Sequence, residues 1–185
     1  GSPLKGKLLI QMFEKSSLRT RLSFHLAIKQ LGGGAITLRS NELHLGDGGE
    51  TLEDTAKILS TYGDGFMIRA DSDKKVENVK KNISIPVING LSPSSHPTQV
   101  LSDIFTIEEI KKKPISKLSQ FKNFKITTKL ISEAKKNCIF LHCLPRGSEV
   151  EEKVFLSKQS KVWQQALNRV HVQKSILLYC FGKLR

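Results

Sequence analysis

Residues 16–21 combine hydroxyl and guanidinium side chains in the sequence Ser-Ser-Leu-Arg-Thr-Arg. Leu18, Leu22 and Leu26 then repeat every four positions, which predicts a helix that starts within this segment. Free backbone N–H groups and the helix dipole favour an anion at such a start. Arginine adds paired hydrogen bonds that match phosphate oxygens. The segment therefore predicts an anion site, although an ordinary serine N-cap with solvated arginines explains the same residues.

Two further segments have residue types that suit carbonyl chemistry. Residues 96–99 read His-Pro-Thr-Gln, and an imidazole and a carboxamide at a helix start can polarise a carbonyl group. Residues 142–145 read His-Cys-Leu-Pro and place a thiol at the end of an apolar run. A capping segment with an incidental His96 and a buried structural Cys143 are the alternatives. No second ligand pair matches this segment, which argues against a zinc site.

Short apolar runs alternate with helical patterns through the first half of the chain. The runs that predict strands are residues 8–13, 35–38, 66–68 and 85–88. This alternation predicts an α/β fold, a mostly parallel sheet flanked by helices. Ligands bind beyond the carboxyl ends of strands in such sheets. We therefore expect residues 16–21, Arg69 and residues 94–99 to meet at one edge of the sheet.

The second half of the chain is less regular. Residues 126–136 predict a turn and a helix, and the apolar run at residues 138–144 predicts one more strand. Apolar positions from Val162 to Phe181 predict a terminal helix with a broad apolar face. A glycine-rich loop is expected at residues 41–50. A lone strand cannot bury both of its faces, so this half looks incomplete.

The charge balance predicts an anionic partner. Lys and Arg number 30 against 17 Asp and Glu, which gives a formal net charge of +13. The partner can be a nucleic acid, an acidic lipid or a phosphorylated small molecule, or the lysines simply solvate the surface. No run approaches the roughly 20 apolar residues of a membrane helix, and no secretory signal is present. Three cysteines without a C-x-x-C pair favour a reducing compartment, so we expect a cytoplasmic protein.

Four motifs, in this order, resemble the transcarbamoylases. They are Phe-Glu-Lys-Ser-Ser-Leu-Arg-Thr-Arg from Phe13, His-Pro-Thr-Gln from His96, His-Cys-Leu-Pro from His142 and Asn-Arg-Val-His from Asn168. The last two are similar to the ornithine-specific rather than the aspartate-specific members. The resemblance implies transfer of the carbamoyl group of carbamoyl phosphate to the δ-amine of L-ornithine in arginine metabolism. It implies a homotrimer with no metal, organic cofactor, nucleic acid or membrane partner.

The resemblance also implies which residues form the site. Those implied to bind carbamoyl phosphate are Ser17, Leu18, Arg19, Thr20, Arg69, His96, Pro97, Thr98 and Gln99, with His44 from a neighbouring subunit. Those implied on the ornithine side are Cys143, Leu144 and Arg169. Two alternatives remain open: a transcarbamoylase for another amino acid or amine, and a non-catalytic basic protein that binds nucleic acid.

The resemblance implies four regions and an internal junction. The regions are a carbamoyl phosphate-binding domain at 1–112, a linker at 113–118, a partial ornithine-binding domain at 119–160 and a C-terminal helix at 161–185 that packs back on the first domain. The family's first helix and its central loops for the α-amino and carboxylate groups of ornithine do not appear in the sequence. We place the junction near Leu118 and Ser119. Regular patterns on both sides favour an omitted segment over a true deletion.

Leu18 stands where the family usually has threonine. One side-chain hydroxyl toward phosphate is therefore lost, whereas the backbone N–H remains. The segment after Pro145 runs directly to Arg146 and is shorter than the usual family loop.

Overall fold

The computed structural model describes residues 1–39, 51–111, 126–147 and 149–184. The predicted glycine-rich loop, His44 and the predicted junction lie outside these residues. The chain divides into two compact units, Gly1–Thr98 with Val170–Arg185, and Gln99–Arg169. The units part after Thr98, inside a helix, whereas the sequence interpretation placed the first domain boundary at residue 112.

Strands and helices alternate along the first unit. They are β1 (Leu8–Phe13), α1 (Leu18–Gln30), β2 (Gly34–Arg39), α2 (Leu52–Tyr62), β3 (Gly65–Arg69), α3 (Asp73–Asn82) and β4 (Val87–Leu91). The four strands pair in parallel in the order β2-β1-β3-β4. The predicted α/β fold, a parallel sheet flanked by helices, is therefore confirmed.

Two long helices extend across the division between the units. They are α4 (Pro97–Lys111) and α7 (Val162–Cys180). The predicted helix start at Pro97 and the predicted terminal helix are both confirmed. Although α7 has 19 residues, no helix in the described part of the chain is both long and apolar enough to span a bilayer.

Each face of the sheet packs against its own pair of helices, because side chains along a strand alternate between faces. On one face, Leu9 and Phe13 of β1 pack with Phe24 of α1 and with Val170 and Leu177 of α7. The other face has a second cluster, in which Ile10, Met12, Phe66 and Ile68 pack with Ala56 and Leu59 of α2 and Val79 of α3. The nearly continuous apolar run at residues 8–13, which only Gln11 interrupts, follows from this burial on both faces.

The register of the sheet aligns the carboxyl ends of all four strands at the same edge. Phe13, the last residue of β1, pairs with Arg39 of β2 on one side and with Arg69 of β3 on the other. Arg69 in turn pairs with Leu91 at the end of β4. The loops that follow β1, β3 and β4 therefore leave the same edge of the sheet, as the sequence predicted.

Strand β4 differs from its predicted position by two residues at its start and extends to Leu91, so that Asn89 and Gly90 lie within the strand. Asparagine and glycine are both uncommon inside strands. A Cβ atom at Gly90 would lie 2.5 Å from Met67 Sδ of β3. The glycine is therefore required for close packing against β3, which a local sequence pattern does not reveal.

The second unit contains α5 (Thr128–Glu133), α6 (Glu152–Phe155) and the adjoining parts of α4 and α7. The predicted strand at residues 138–144 is wrong, since Phe140 forms only an isolated parallel bridge with Ser160. A strand needs a neighbour that pairs along its length, and the described part of this unit supplies only single bridges. Phe140 instead packs into a small core with Val150, Val154 and Val162.

Candidate functional site

Ser17 occupies the N-cap position of α1 in an extended conformation, but its side chain makes no capping hydrogen bond. Its Oγ instead accepts a hydrogen bond of 3.0 Å from Nη1 of Arg69, at the end of β3. The ordinary N-cap explanation for this serine therefore does not hold. The first turn of α1 also contains no acidic residue, so the positive end of the helix dipole meets no carboxylate within the helix.

Arg69 is partly buried beside a second arginine. Its pKa is lowered, first by burial and then by the positive charge of Arg19. Its Nε is buried and has no hydrogen-bond partner among the described residues. Two guanidinium groups held this close repel each other, and an anion between or beside them would relieve that repulsion. The arrangement therefore suits a ligand with phosphate or carboxylate oxygens.

A pocket of about 420 Å³ opens at the start of α1. Its lining residues are Phe13, Glu14, Ser16, Ser17, Leu18, Arg21, Thr37 and Arg39. Sequence reasoning missed Arg39 as a site residue. Its position could have indicated this role, because Arg39, like Arg69, stands at the carboxyl end of an apolar run. Leu18 is 61% exposed and is the first residue of α1, where the backbone N–H has no acceptor within the helix.

A carboxylate joins the loop after β1 to the loop after β3. Glu14 accepts a hydrogen bond of 2.8 Å from the backbone N–H of Asp71 and forms an ion pair of 2.7 Å with Lys75. The hydrogen bond to Glu14 is the main reason that the pKa of Lys75 is raised. Glu14 therefore holds the loop that contains Ser17 against the loop that follows Arg69.

A second carboxylate joins the loop after β3 to the loop after β4. Asp73, the first residue of α3, accepts a hydrogen bond of 2.8 Å from the Ser94 hydroxyl. Its pKa is lowered by hydrogen bonds from Ser92 and Ser94. Glu14 and Asp73 thus connect all three loops that contain predicted anion-binding residues of this unit. Neither was predicted, because only the folded chain shows their partners.

His96 lies in the loop between β4 and α4 and is half-buried. Its Nδ1 lies 3.3 Å from the hydroxyl of Thr98. Pro97 is the first residue of α4, a position that needs no backbone N–H donor. Thr98 and Gln99 follow in the first turn and are buried. The predicted His-Pro-Thr-Gln segment therefore does form a helix start.

Gln99 and Arg169 lie in the second unit, and the same acid interacts with both. Gln99 Nε2 donates a hydrogen bond of 2.7 Å to Asp103, and Arg169 is close enough that its charge lowers the pKa of that carboxyl. Burial is the larger effect and raises the pKa of Asp103 overall. Arg169 is itself only 4% exposed. Sequence reasoning missed Asp103, although it lies one helical turn after Gln99.

Hydrogen bonds around His142 fix the His-Cys-Leu-Pro segment. His142 Nδ1 accepts the Leu144 backbone N–H at 3.0 Å, so the ring proton lies on Nε2 and is donated to Glu149 over 2.9 Å. Leu144 has a left-handed backbone with φ of 57° and precedes a cis peptide bond to Pro145. Cys143 is exposed at this turn. Its thiol is therefore accessible, contrary to the interpretation of a buried structural cysteine.

The predicted residues thus form two groups, one in each unit. Ser17, Arg19 and Arg69 come together at the start of α1 in the first unit. In the second unit, Gln99 and Arg169 both interact with Asp103. Among the residues described, no cluster of three or more His, Cys, Asp or Glu side chains is arranged to hold a metal ion.

Residues 1–109 match the family model described as aspartate/ornithine carbamoyltransferase, carbamoyl-P binding domain. The matched region contains β1 to β4 and the anion pocket. The chain belongs to the aspartate/ornithine carbamoyltransferase family. The family resemblance drawn from the four motifs is therefore confirmed.

Three proteins with similar sequences or folds are ornithine carbamoyltransferases by name. The protein from Oceanobacillus iheyensis is 34% identical over 265 residues, with 95% of this chain and 82% of the relative covered. The protein from Caulobacter vibrioides is 32% identical, with 99% and 86% covered. The solved structure from Pyrococcus furiosus has a TM-score of 0.88 and 30% identity, with 100% of this chain and 87% of that one covered.

The alignment with the Oceanobacillus iheyensis carbamoyltransferase spans 265 residues, whereas this chain has 185. The relative therefore has residues for which this chain has no counterpart. A junction near Leu118 and Ser119 stays a prediction.

Proposed function

We propose that this carbamoyltransferase-family chain transfers the carbamoyl group of carbamoyl phosphate to the δ-amine of L-ornithine, and that L-citrulline and phosphate are the products. The main support is the hydrogen bond from Arg69 to Ser17 beside Arg19, at a helix start that opens on a pocket. The names of the relatives support ornithine as the acceptor. None of the relatives named above favours another amine or a nucleic acid.

The start of α1 is proposed to bind the phosphate group. The first backbone N–H groups of an α-helix have no acceptor within the helix, and the hydroxyls of Ser17 and Thr20 can donate hydrogen bonds. Arg19 balances the negative charge. When the bond between the carbamoyl carbon and the phosphate oxygen breaks, the departing phosphate gains charge. The same N–H groups and Arg19 stabilise that gain.

Arg69, His96 and Thr20 are proposed to stabilise the carbonyl oxygen of the carbamoyl group. The neutral δ-amine attacks the carbamoyl carbon, a C–N bond forms, and negative charge develops on this oxygen. Donors already fixed in place lower the barrier because they do not reorganise during the reaction. Glu14 and Asp73 contribute indirectly, since they hold the three loops in which these donors lie.

Gln99 is proposed to bind the carbamoyl amide, and Pro97 and Thr98 to form the backbone around it. On the ornithine side, Cys143 and Leu144 are proposed to contact the substrate, with Arg169 close to the bound ligands. Cys143 orients the amine and does not form a covalent intermediate. The lone pair of the neutral δ-amine forms the new C–N bond, so the reaction needs the unprotonated amine, and the proton that the nitrogen then loses can pass to the departing phosphate. Binding both substrates in one orientation supplies much of the rate.

We also propose a homotrimer in which His44 reaches the site of a neighbouring subunit. Co-expression of a His44→Ala chain with an Arg19→Ala chain tests this arrangement. Mixed trimers would contain some sites with neither substitution, so activity should return to a fraction of the unsubstituted level. Two inactive variants that stay inactive when they are mixed would argue against a shared site. Sedimentation of the purified chain gives the oligomer size independently.

A role in arginine metabolism and a cytoplasmic location are further proposals. Their support is the chemistry proposed above and the names of the relatives. Fractionation of the source cells, with detection by antibody, tests the location. Deletion of the gene in the source cells distinguishes the two directions. Loss of growth without added arginine would indicate synthesis, whereas loss of growth on arginine as the energy source would indicate breakdown.

The direct test is citrulline formation by the purified chain from carbamoyl phosphate and L-ornithine, with L-aspartate and putrescine as competing acceptors. We expect citrulline and a clear preference for ornithine. A preference for aspartate or putrescine would overturn the choice of acceptor. If the chain binds carbamoyl phosphate but forms no product, the proposed phosphate site would stand. The contacts to ornithine that are then missing would belong to the segment that the family has and this sequence does not show. Salt-sensitive DNA binding without carbamoyl transfer would support the nucleic-acid alternative.

A further inference from the structure

Asp103 accepts hydrogen bonds from two glutamine side chains in the second unit. Gln99 Nε2 donates to its Oδ1 over 2.7 Å, and Gln165 Nε2 donates to the same oxygen over 2.5 Å. Gln99 and Asp103 lie one turn apart on α4, and Gln165 lies on α7. Both glutamines are buried, with 6% and 2% of their surface exposed. The acid thus accepts one hydrogen bond from its own helix and one from α7.

An ionised carboxylate determines which way each amide faces, because it accepts hydrogen bonds and cannot donate them. Both glutamines must present their NH₂ groups to Asp103. For Gln165, the carbonyl oxygen Oε1 is then left to accept the backbone N–H of His142, which it does over 2.9 Å. Both groups of the Gln165 amide therefore have suitable partners: the NH₂ group donates to Asp103, and the carbonyl oxygen accepts from His142.

For Gln99, the same rule leaves Oε1 as an acceptor. This atom is buried and has no hydrogen-bond partner among the described residues. A buried carbonyl oxygen without a donor is unfavourable by about 1–3 kcal/mol, so the position suits a ligand that supplies an N–H group. The NH₂ group of a carbamoyl compound is such a donor. If the Gln99 amide were reversed, its NH₂ group would face the NH₂ group of the carbamoyl compound, and two donors cannot form a hydrogen bond with each other.

The environment of Asp103 shows why its ionisation matters. Burial raises the pKa of its carboxyl, and the two glutamine hydrogen bonds and the positive charge of Arg169 oppose this effect. Among the described residues, Arg169 on α7 is the charged group that lies close enough to affect the pKa of Asp103. Protonation of Asp103 would create an O–H donor, which favours the opposite orientation of a neighbouring amide. The orientation of Gln99 therefore depends on the charge of Asp103.

We propose that Asp103 is a positioning residue that fixes the Gln99 amide with its oxygen available to the carbamoyl NH₂ group and, through Gln165, holds the backbone at His142. The inference rests on the proposed carbamoyl transfer. It adds to that proposal a residue that does not touch the substrate and acts through a neighbouring amide. It also connects a residue proposed for the carbamoyl group to the His-Cys-Leu-Pro segment.

The substitution that tests this role is Asp103→Asn. Asparagine has nearly the same shape, but it has no negative charge and its NH₂ group can occupy the position of Oδ1, so the charge-assisted hydrogen bonds that orient both glutamine amides are weakened or lost. We expect kcat/KM for carbamoyl phosphate to fall about tenfold or more, since hydrogen bonds to a charged group contribute about 1.5–3 kcal/mol. The KM for carbamoyl phosphate should rise more than the KM for ornithine.

Glu109→Gln is the matched control. Glu109 lies on the same helix and accepts hydrogen bonds of 2.7 Å from Gln164 and from Asn168, both on α7. The substitution therefore makes the same acid-to-amide change at the same pair of helices, without contact to Gln99 or His142. We expect its kcat/KM to remain within about twofold of the original. Equal losses in both variants would mean that the acids only join the helices, and the proposal would fail.

A double-substitution cycle tests whether Asp103 acts through Gln99. If it does, Asp103→Asn should add little to the loss already caused by Gln99→Ala in carbamoyl phosphate kinetics. A fully additive loss would overturn the proposal. Should the unsubstituted chain form citrulline and Asp103→Asn change nothing, the positioning role would be wrong and the proposed function would stand.

A measurement on the unsubstituted chain needs neither activity nor a folded variant. The side-chain amide resonances of Gln99 and Gln165 in ¹⁵N-labelled protein should shift together, with one midpoint, as Asp103 is protonated at acidic pH. The resonances of Gln164 should not follow that midpoint. Amides of Gln99 and Gln165 that do not respond together would contradict the shared carboxylate, whether or not the chain forms citrulline.

Discussion

Arg69 and Ser17 are 52 residues apart in the sequence, yet Arg69 Nη1 donates a hydrogen bond of 3.0 Å to Ser17 Oγ. Because the hydroxyl oxygen accepts this bond, the hydroxyl proton can still be donated to a ligand. The contact also holds a guanidinium group beside the start of α1. The first two predictions follow from this arrangement.

Ser17→Ala should weaken carbamoyl phosphate binding without weakening the fold. The Ser17 hydroxyl makes no capping hydrogen bond, so the free energy of unfolding should change by less than about 0.5 kcal/mol. Thr127→Ala is the control, because the Thr127 hydroxyl does cap α5 by accepting the Leu130 N–H at 3.1 Å. That variant should lose about 1 kcal/mol of stability and keep its KM. Urea unfolding and steady-state kinetics of both variants measure the contrast.

Arg19→Ala should raise the KM for carbamoyl phosphate about tenfold or more, since charged hydrogen bonds to phosphate contribute about 1.5–3 kcal/mol. Lys29→Ala removes the same charge from the last turn of the same helix and should have little effect. The KM of both variants is measured at fixed saturating ornithine. An unchanged KM in Arg19→Ala would remove this residue from the phosphate site.

Cys143→Ser should raise the KM for ornithine more than the KM for carbamoyl phosphate, because the proposed role of the exposed thiol is to orient the amine. Cys180 is the internal comparison, since burial raises the pKa of its thiol and keeps it protonated. Iodoacetamide should therefore modify Cys143 before Cys180, as peptide mass spectrometry would detect. Equal increases in both KM values would contradict the proposed role.

Gln11→Met should stabilise the protein. Gln11 lies in the middle of β1 and is fully buried, and neither polar atom of its amide has a hydrogen-bond partner among the described residues. Removal of that amide should recover about 1–3 kcal/mol, or a few degrees in Tm. Gln165→Met should have the opposite effect, because the amide of Gln165 has partners at both ends. A lower Tm for Gln11→Met would mean that its amide is satisfied in solution.

Asp64→Asn should destabilise the protein at neutral pH but not in acid. Partial burial raises the pKa of Asp64, but hydrogen bonds from Lys7 and the Leu8 N–H outweigh it, so the net pKa is lowered. A lowered carboxyl pKa stabilises the fold above the unfolded pKa of about 3.9. That contribution is lost as the pH falls through the folded pKa.

Both partners of this ion pair contact solvent, so the difference from the unsubstituted chain at pH 7 should not exceed about 1 kcal/mol. The difference should shrink as the pH falls below the unfolded pKa and vanish once the Asp64 carboxyl is protonated in the folded state as well. Glu53→Gln is the control, because its ion pair with Lys57 is exposed. Thermal unfolding from pH 2 to pH 7 measures both, and a difference that persists at the lowest pH would contradict the assignment.

The sequence predicts the first unit well because its signals are local. The run at residues 8–13 is apolar except at Gln11, since both faces of β1 are buried, and the glycines after α1 mark the end of that helix. The same logic fails at residues 138–144, because a strand also requires a neighbour to pair with. An apolar run alone cannot show whether that neighbour exists.

The parts of the site that sequence reasoning missed depend on contacts between distant residues. Glu14, Asp73 and Asp103 resemble ordinary surface acids in the sequence. Their partners lie 61 residues away for the Lys75 bond to Glu14, 21 for the Ser94 bond to Asp73 and 62 for the Gln165 bond to Asp103. Such pairs become visible only when the loops or helices that contain them have been brought together.

The last turns of α7 cover one face of a sheet whose strands all lie among the first 91 residues. During synthesis a ribosome therefore releases every strand well before the helix that shields that face. Until then Leu9, Phe13 and Met67 remain without Val170 and Leu177, and the nascent sheet exposes apolar surface to solvent. Completion of the first unit must wait for the synthesis of α7, a delay during which chaperones can act on it.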